Sequence, residues 1–372
     1  MAGTANINVA DFRHLFLSDK HLMDVRAPVE FAAGAFPNTS NQPILDDAQR
    51  HDIGCIYAQS GQEAAIERGL ELASPDVRAQ RMDAWLSHIQ RYPDGYLYCY
   101  RGGLRSQTTQ QWLREAGVEY PLVEGGYKSL RRFLLSELER LSASSRLTVV
   151  AGATAVGKTD LLLAFGQSID LEGHANHRGS AFGAMFDPQP SQIDFENAVI
   201  IDWIKKDAVG SGPILVEAES RLIGRLNLPA QLQQAMSKAP MVQLLASFDD
   251  RLQRLRRDYV QFALDHFMVH NEKPSSAWES LQTSIQSSFD RIKKRLGGAR
   301  HQLLSNLLPE AMQQLRHHHD WSGFDEIFSQ LLSNYYDKMY DYQLSKQQER
   351  ITFAGEHNEV LHWLHELGHN HE

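Results

Sequence analysis

The chain has 372 residues, 42% hydrophobic and 22% charged, with a formal net charge of −9; that is room for two cored domains, and the acidic balance excludes nucleic-acid binding through the surface as a whole. Only two cysteines are present, Cys55 and Cys99, so a disulfide framework is excluded and a reduced, cytoplasmic protein is expected. No apolar run approaches ~18 residues, and the N-terminus lacks a basic and then apolar leader, so neither a membrane span nor a signal peptide is expected.

From Leu22 to Tyr127 short apolar runs alternate with helical periods, the pattern of an α/β domain. His21–Val25 reads as a strand, and 62–72 and 75–92 as helices; in the second, Met82, Trp85, Leu86 and Ile89 keep the spacing of one buried face. Pro93-Asp94-Gly95 is a turn, 96–100 a strand, 106–116 a helix closed by Gly117, and 121–123 a short strand. An amphipathic helix over 127–141 is followed by the polar run Ser142–Ser145, which places a domain boundary between 141 and 142. A strand at 146–151 opens the second domain, 214–217 and 241–246 are further strands, and helical patterns fill the chain from Asp249 onward. The expected architecture is thus α/β over 1–141 and a second α/β domain over 142–372 with a helical C-terminal extension.

Gly152-Ala153-Thr154-Ala155-Val156-Gly157-Lys158-Thr159 fits the phosphate-binding pattern G-x-x-x-x-G-K-[ST], between an apolar strand and a helix. Its glycines let successive N–H groups point into one concavity, the helix N-terminus adds partial positive charge, and Lys158 adds a full one. Such a loop binds polyphosphate without implying ATP hydrolysis. The apolar strand after it ends in Glu217, with Glu219 and Arg221 beyond, rather than in aspartate. Magnesium held by Thr159 and Glu217 stays open, as does a role near the phosphates for His177 and Arg178.

Cys99-Tyr100-Arg101-Gly102-Gly103-Leu104-Arg105-Ser106 is a second loop between strand and helix. Gly102 and Gly103 allow its amides to turn inward toward an anion, with Ser106 at its end. Arg101, Arg105 and the helix start favour a thiolate at Cys99, which could attack sulfur, selenium or phosphorus. Cys55, with only His51 nearby, reads as structural. Two basic stretches, Arg251, Arg254, Arg256 and Arg257, then Arg291, Lys293, Lys294, Arg295 and Arg300, are by charge alone as well explained by solvated helix faces as by a nucleic-acid surface. His317–His319 and the terminal His362, His365, His369 and His371 lack the partners of a metal site, so no metal is expected there.

Asp24-Val25-Arg26, Glu30-Phe31, Gly34-Ala35-Phe36-Pro37-Asn38, the Cys99–Ser106 loop and Glu124-Gly125-Gly126-Tyr127 resemble the successive signatures of a rhodanese domain. Ala35 stands where histidine is usual, and the loop is one residue longer than in common sulfurtransferases. Rhodanese followed by a phosphate-binding loop resembles the tRNA 2-selenouridine synthase family. So do Asp170–Gly173, His177-Arg178-Gly179-Ser180-Ala181-Phe182-Gly183, Gln189–Gln192, Phe195–Asn197, Val216–Gly224 and Tyr335–Tyr340. Ala155 departs from the glycine frequent there.

The resemblance implies an enzyme that replaces sulfur by selenium in wobble-position 2-thiouridine of tRNA, with selenophosphate as donor. It also implies S-geranylation of the thiouridine by geranyl diphosphate, and a selenophosphate-supplying enzyme as a partner. On that footing Lys158 and Thr159 are expected to serve the diphosphate, and Cys99, Arg101 and Arg105 the selenium step, with Cys99 as nucleophile or as polarising group. Arg254, Arg257, Arg291, Lys293, Lys294 and Arg295 become candidates for tRNA phosphates, and Tyr335, Tyr336, Tyr340 and Tyr342 for stacking on bases. An ATPase with a regulatory domain and a sulfur-carrier module are the rival readings.

Overall fold

The computed structural model describes residues 6–180, 182–183, 185–271 and 273–369. Ala181 and His371, and the side chain of His369, lie outside them. The chain forms two compact units, residues 1–144 with 190–209, and residues 145–189 with 210–372. The second is therefore not one contiguous stretch from residue 142.

Unit 1 has a parallel sheet of β1 (Leu22–Asp24), β2 (Thr39–Asn41) and β3 (Tyr96–Tyr98) in the order β2-β1-β3. Single parallel bridges, Leu97 to Leu122 and Ile7 to Val123, extend it. The stretch expected as a strand at 121–123 is thus reduced to isolated pairing. β1 is buried throughout and leads into a buried ion pair, Arg26 on Asp24. Two buried charges persist only when fully bonded. Here Arg26 donates to both Asp24 oxygens and to the Gly34 carbonyl at 2.8 Å, with the Tyr127 ring 4.0 Å from its guanidinium carbon.

The helix Asp47–Leu72 begins with a capping box, Asp46 with Gln49, and is broken at Gly61 (φ +86°, ψ −171°), a conformation open to glycine alone. The two halves fold back on each other, since Arg68 bonds Asp52 at 2.8 Å. The helices Pro75–Arg91, Leu104–Glu115 and Gly126–Ala143 follow. Helix Gln192–Val209 completes the unit by burying Phe195, Val199, Ile200, Trp203 and Ile204. Its start is tied to Ala35, whose N–H donates to Asp194 and whose carbonyl accepts from Asn197, both at 2.6 Å.

In chain order the strands of unit 2 are β4 (Leu147–Ala151), β5 (Ser168–Ile169), β6 (Ile214–Glu217), a small hairpin β7 (Leu222–Ile223) and β8 (Leu226–Asn227), β9 (Met241–Leu244) and β10 (Ile351–Gly355). Apart from the hairpin they form a five-stranded parallel sheet in the order β10-β9-β4-β6-β5. β4 is central and entirely buried, as its run of Leu, Thr, Val and Val requires of a strand covered on both faces. The residues after Asp249 are not only helical: β10 adds an edge strand parallel to β9. The following helix, His357–His369, then seats Val360 and Leu364 in the core with Val150 and Leu161. The helices between pack Leu281, Phe289, Leu304, Phe324 and Phe328 into a core of their own. Two stretches there, Arg256–Gln261 and Leu332–Tyr336, take π-helical turns, which often mark functional sites. Among the described residues no helix is long and apolar enough to cross a membrane.

Candidate functional site

Cys99 leaves the end of β3, and the following helix starts at Leu104, two residues before its expected start. Ser106 therefore stands in the first helical turn, its Oγ 3.2 Å from Cys99 Sγ and donating to the Gly103 carbonyl at 3.0 Å. Cys99 is 3% exposed, at the floor of the loop. Gly102 has φ +65° and Gly126 φ +57°, and the two turns interlock backbone against backbone: a Cβ on Gly102 would lie 2.7 Å from the Gly125 nitrogen, and one on Gly126 would strike the Cys99 carbonyl. Tyr127 and Lys128 donate their N–H groups to the Cys99 and Tyr100 carbonyls at 2.9 and 3.0 Å. The Glu124–Tyr127 signature is thus the clamp that holds the cysteine loop.

The two arginines of this loop differ in placement. Arg105 is committed to Glu30, at 2.5 and 3.2 Å. Burial pushes the Glu30 carboxyl up, yet Arg105 outweighs it and the net is a lowered pKa. Arg101 is exposed, its guanidinium carbon 6.0 Å from the Tyr100 ring centre. Arg101 is therefore the guanidinium of this loop that stays open to solvent, while Arg105 is held against Glu30. Glu30, part of the Glu30-Phe31 signature, lines the same cavity as Arg105, a pairing that no local pattern in the sequence marks. A cavity of about 1,470 Å³ opens on Cys99, Tyr100, Arg101, Gly103 and Arg105, and the broken helix Asp47–Leu72 forms its far wall. Cys55, read as structural, instead lies exposed on that wall, 3.7 Å from His51 Nε2.

In unit 2 the phosphate loop runs from the end of β4 into the helix Lys158–Phe165. Gly152 and Gly157 are required by space: a Cβ on Gly152 would press on Val156 and the Leu244 carbonyl, and one on Gly157 (φ +94°) would lie 2.9 Å from Arg254 Nε. Ala155 has φ +65°, the left-handed region that favours glycine. Ala153, Thr154 and Val156 shape the turn, and Arg251 braces it with a 2.9 Å bond to the Thr154 carbonyl and an ion pair to Asp337. Lys158 Nζ reaches back to the Gly152 carbonyl at 3.5 Å.

A cavity of about 890 Å³ joins Lys158 and Thr159 to Glu172, Arg178, Glu219, Arg254, Arg257 and Arg295. Arg254 and Arg257 do not form a separate basic face. Asp160 holds both, at 3.4 and 3.7 Å, and Arg257 also bonds Asp258. Arg178 pairs with Asp258 at 3.3 Å. Arg256, on another side, pairs with Asp325. Lys293, Lys294 and Arg295 are exposed, and Arg291 bonds Ser288 at 2.7 Å. Tyr336 and Tyr340 line the same cavity, while Tyr342 is 63% exposed with Lys346 over its ring.

The acidic groups divide by position. Glu217 is 3% exposed, takes the Glu172 N–H at 2.7 Å, and leaves Oε2 without a partner; burial, then Asp170, pushes its pKa well up. Glu219 lines the cavity and is pushed up to about 8, by burial and then by Glu172. Glu172 is also raised by burial, with Lys158 opposing. Gly179 (φ +46°) lies against both carboxyls, a Cβ there falling 2.8 Å from Glu219 Oε1. Glu219 was a candidate from the sequence, but its pairing with Glu172, which lies in the Asp170–Gly173 segment, was not. His177 is half-buried with its pKa lowered by burial and then by Arg291, while Arg221 is exposed at the start of the β7–β8 hairpin and does not join the site.

Residues 145–371 match the family model described as the tRNA 2-selenouridine synthase AAA domain. The whole chain is similar to curated proteins named tRNA 2-selenouridine synthase. The Marinobacter nauticus protein is 45% identical over 95% of this chain and 96% of its own length. Those of Azotobacter vinelandii and Cupriavidus necator are 46% and 47% identical, each over 96% of this chain and 97% of theirs.

Proposed function

The chain belongs to the tRNA 2-selenouridine synthase family, and from that premise we propose that it exchanges sulfur for selenium in 2-thiouridine of tRNA in two steps, one at each anion loop. In the first, at the phosphate loop, the thiocarbonyl sulfur attacks the allylic carbon of geranyl diphosphate. The carbon–oxygen bond breaks, diphosphate leaves with its electron pair, and the base loses its N3 proton. Lys158, Arg254 and the loop amides stabilise the charge that develops on the leaving group. In the second, selenium of selenophosphate attacks C2, and geranylthiolate departs with the carbon–sulfur pair and takes a proton. Water then cleaves the selenium–phosphorus bond, releasing phosphate.

The observation that carries this reading is the possession of two separate cradles, one with a thiol at its floor and one with a lysine and clustered arginines. Unit 1 is read as a rhodanese-type domain because its signatures are the parts of one device: Asp24–Arg26 sets the Gly34 turn, Glu30 holds Arg105, and Gly125-Gly126 clamps the Cys99 loop. Magnesium held by Thr159 and Glu217 does not fit, since one Glu217 oxygen is taken by a backbone N–H and the side chain is sealed in the core. The tRNA with its wobble base is the substrate in this reading, Lys293, Lys294 and Arg295 are available to its phosphates, and a selenophosphate-forming enzyme supplies the donor.

The test is mass analysis of thiolated tRNA incubated with geranyl diphosphate, then with selenophosphate. Cys99→Ala should keep geranylation and lose selenation, and Lys158→Ala should lose geranylation by roughly a hundredfold or more. Equal loss of both activities in Cys99→Ala would overturn the division of labour.

A further inference from the structure

The cavity at Cys99 is far larger than a selenophosphate ion requires. Ordinary small-molecule pockets run ~300–1,000 Å³, and this one is about 1,470 Å³. Its Cys99 end is polar, where Arg101 and the loop amides lie, and Gln49, Arg50, His51 and Gln62 add polar groups along the helix wall. The rest is a cleft between the two halves of the broken helix, contributing Ile53, Ala58, Ile66 and Leu70, and the opposing helix, contributing Leu104 and Trp112. Leu70 is 66% and Leu104 49% exposed there. Apolar side chains left this open around a reactive loop mark a ligand surface rather than a core. The wall owes its position to Gly61, whose backbone turns the helix back on itself.

A cleft with a run of apolar side chains on both walls, and a thiol and a cation at one end, fits an amphiphile: an aliphatic chain whose head is presented to Cys99. We infer that this cleft seats the geranyl chain of the S-alkylated uridine during the selenium step, placing the C2–sulfur bond at the Cys99 loop. The inference rests on the two-step reading above and adds to it. In that step the carbon–sulfur bond breaks and geranylthiolate leaves, so whichever site performs it must hold the chain of the leaving group, whatever site attached it. The cleft gives that chain a surface to bury, and the spare volume admits the base that carries it. Binding is then tighter for the alkylated than for the unalkylated base, which carries the intermediate forward rather than releasing it.

The test uses the full-length protein with two anticodon stem–loop RNAs, one bearing S-geranyl-2-thiouridine and one bearing S-methyl-2-thiouridine, and selenophosphate as donor. Wild-type protein should convert the geranyl RNA about a hundredfold more efficiently than the methyl RNA, as the buried chain length implies. Ala58→Trp and Ile66→Trp, which fill the cleft away from the loop, should bring that ratio below about ten by lowering the geranyl rate alone. Retained turnover of the methyl RNA shows that the variants fold, and retained geranylation of thiolated RNA shows that the first step is separate. A ratio unchanged in both variants would place the chain elsewhere and overturn the inference, leaving the two-step reading intact. If wild-type protein did not convert the geranyl RNA at all, the two-step reading would fall, and this inference with it.

Discussion

Ala155 carries a left-handed backbone (φ +65°) in the middle of the phosphate loop, a conformation that costs an L-residue of order 1 kcal/mol relative to glycine. Ala155→Gly should therefore raise stability by about 0.5–1 kcal/mol, read as a higher midpoint in thermal or urea unfolding; a lower midpoint would show that the loop relaxes around alanine at no cost. The Glu172–Glu219 pair sets a pH dependence at the same site. Glu219 titrates at about 8 rather than 4.5 because burial and Glu172 disfavour its charge. Its folded pKa is raised, so its contribution to stability is whole below about 4.5 and is lost as pH rises through 8. The anion site follows the same sign: a second negative charge beside Lys158 weakens phosphate binding. Affinity for inorganic diphosphate, measured by calorimetry, should fall several-fold from pH 6.5 to pH 9, and Glu219→Gln should flatten the profile.

At the scale of elements, the cysteine loop and the N-terminus of helix Gly126–Ala143 work as one object. Two glycines with positive φ allow their backbones to touch, and two N–H groups of that helix start bind the loop carbonyls. Gly126→Ala puts a methyl into the Cys99 carbonyl and should reduce selenation at least tenfold, with geranylation at the other loop within about twofold of wild type. Parallel loss of both in a protein of unchanged thermal midpoint would mean that the two loops are not independent. The basic stretch 251–257 shows why charge pattern alone misleads at this scale. Asp337, Asp160 and Asp325 from distant parts of the chain, with the neighbouring Asp258, neutralise it, and Arg254 and Arg257 turn into the phosphate cavity rather than forming a solvated face.

At the scale of the whole molecule, the chain leaves unit 1 after residue 144 and returns to it for residues 190–209. That returning helix buries Trp203, Phe195 and four aliphatic side chains, and it bonds Ala35 and Arg131. A fragment of residues 1–144 should thus lack part of its core and show a broad, non-cooperative melt, and adding 190–209 in trans or by a short linker should restore a cooperative one. A sharp transition in the shorter fragment would show that the helix is dispensable.

The two anion loops, the strands that feed them, the α/β class and the family were legible in the sequence, because each rests on local requirements: glycines where φ is positive, an apolar run before the turn, a charge at its end. The signature residues of unit 1 were legible as a set but not as partners, since Glu30 meets Arg105 and Asp194 meets Ala35 across long stretches of chain. Strand β10 was hidden by its distance from β9 and its burial on one face only. Tertiary structure alone decided which arginines are left exposed, which carboxyls share the phosphate cavity, and that a helix before the expected 62–72 turns back at Gly61 to make the wall of a cleft. Such features depend on what burial brings together, and no periodicity along the chain records that.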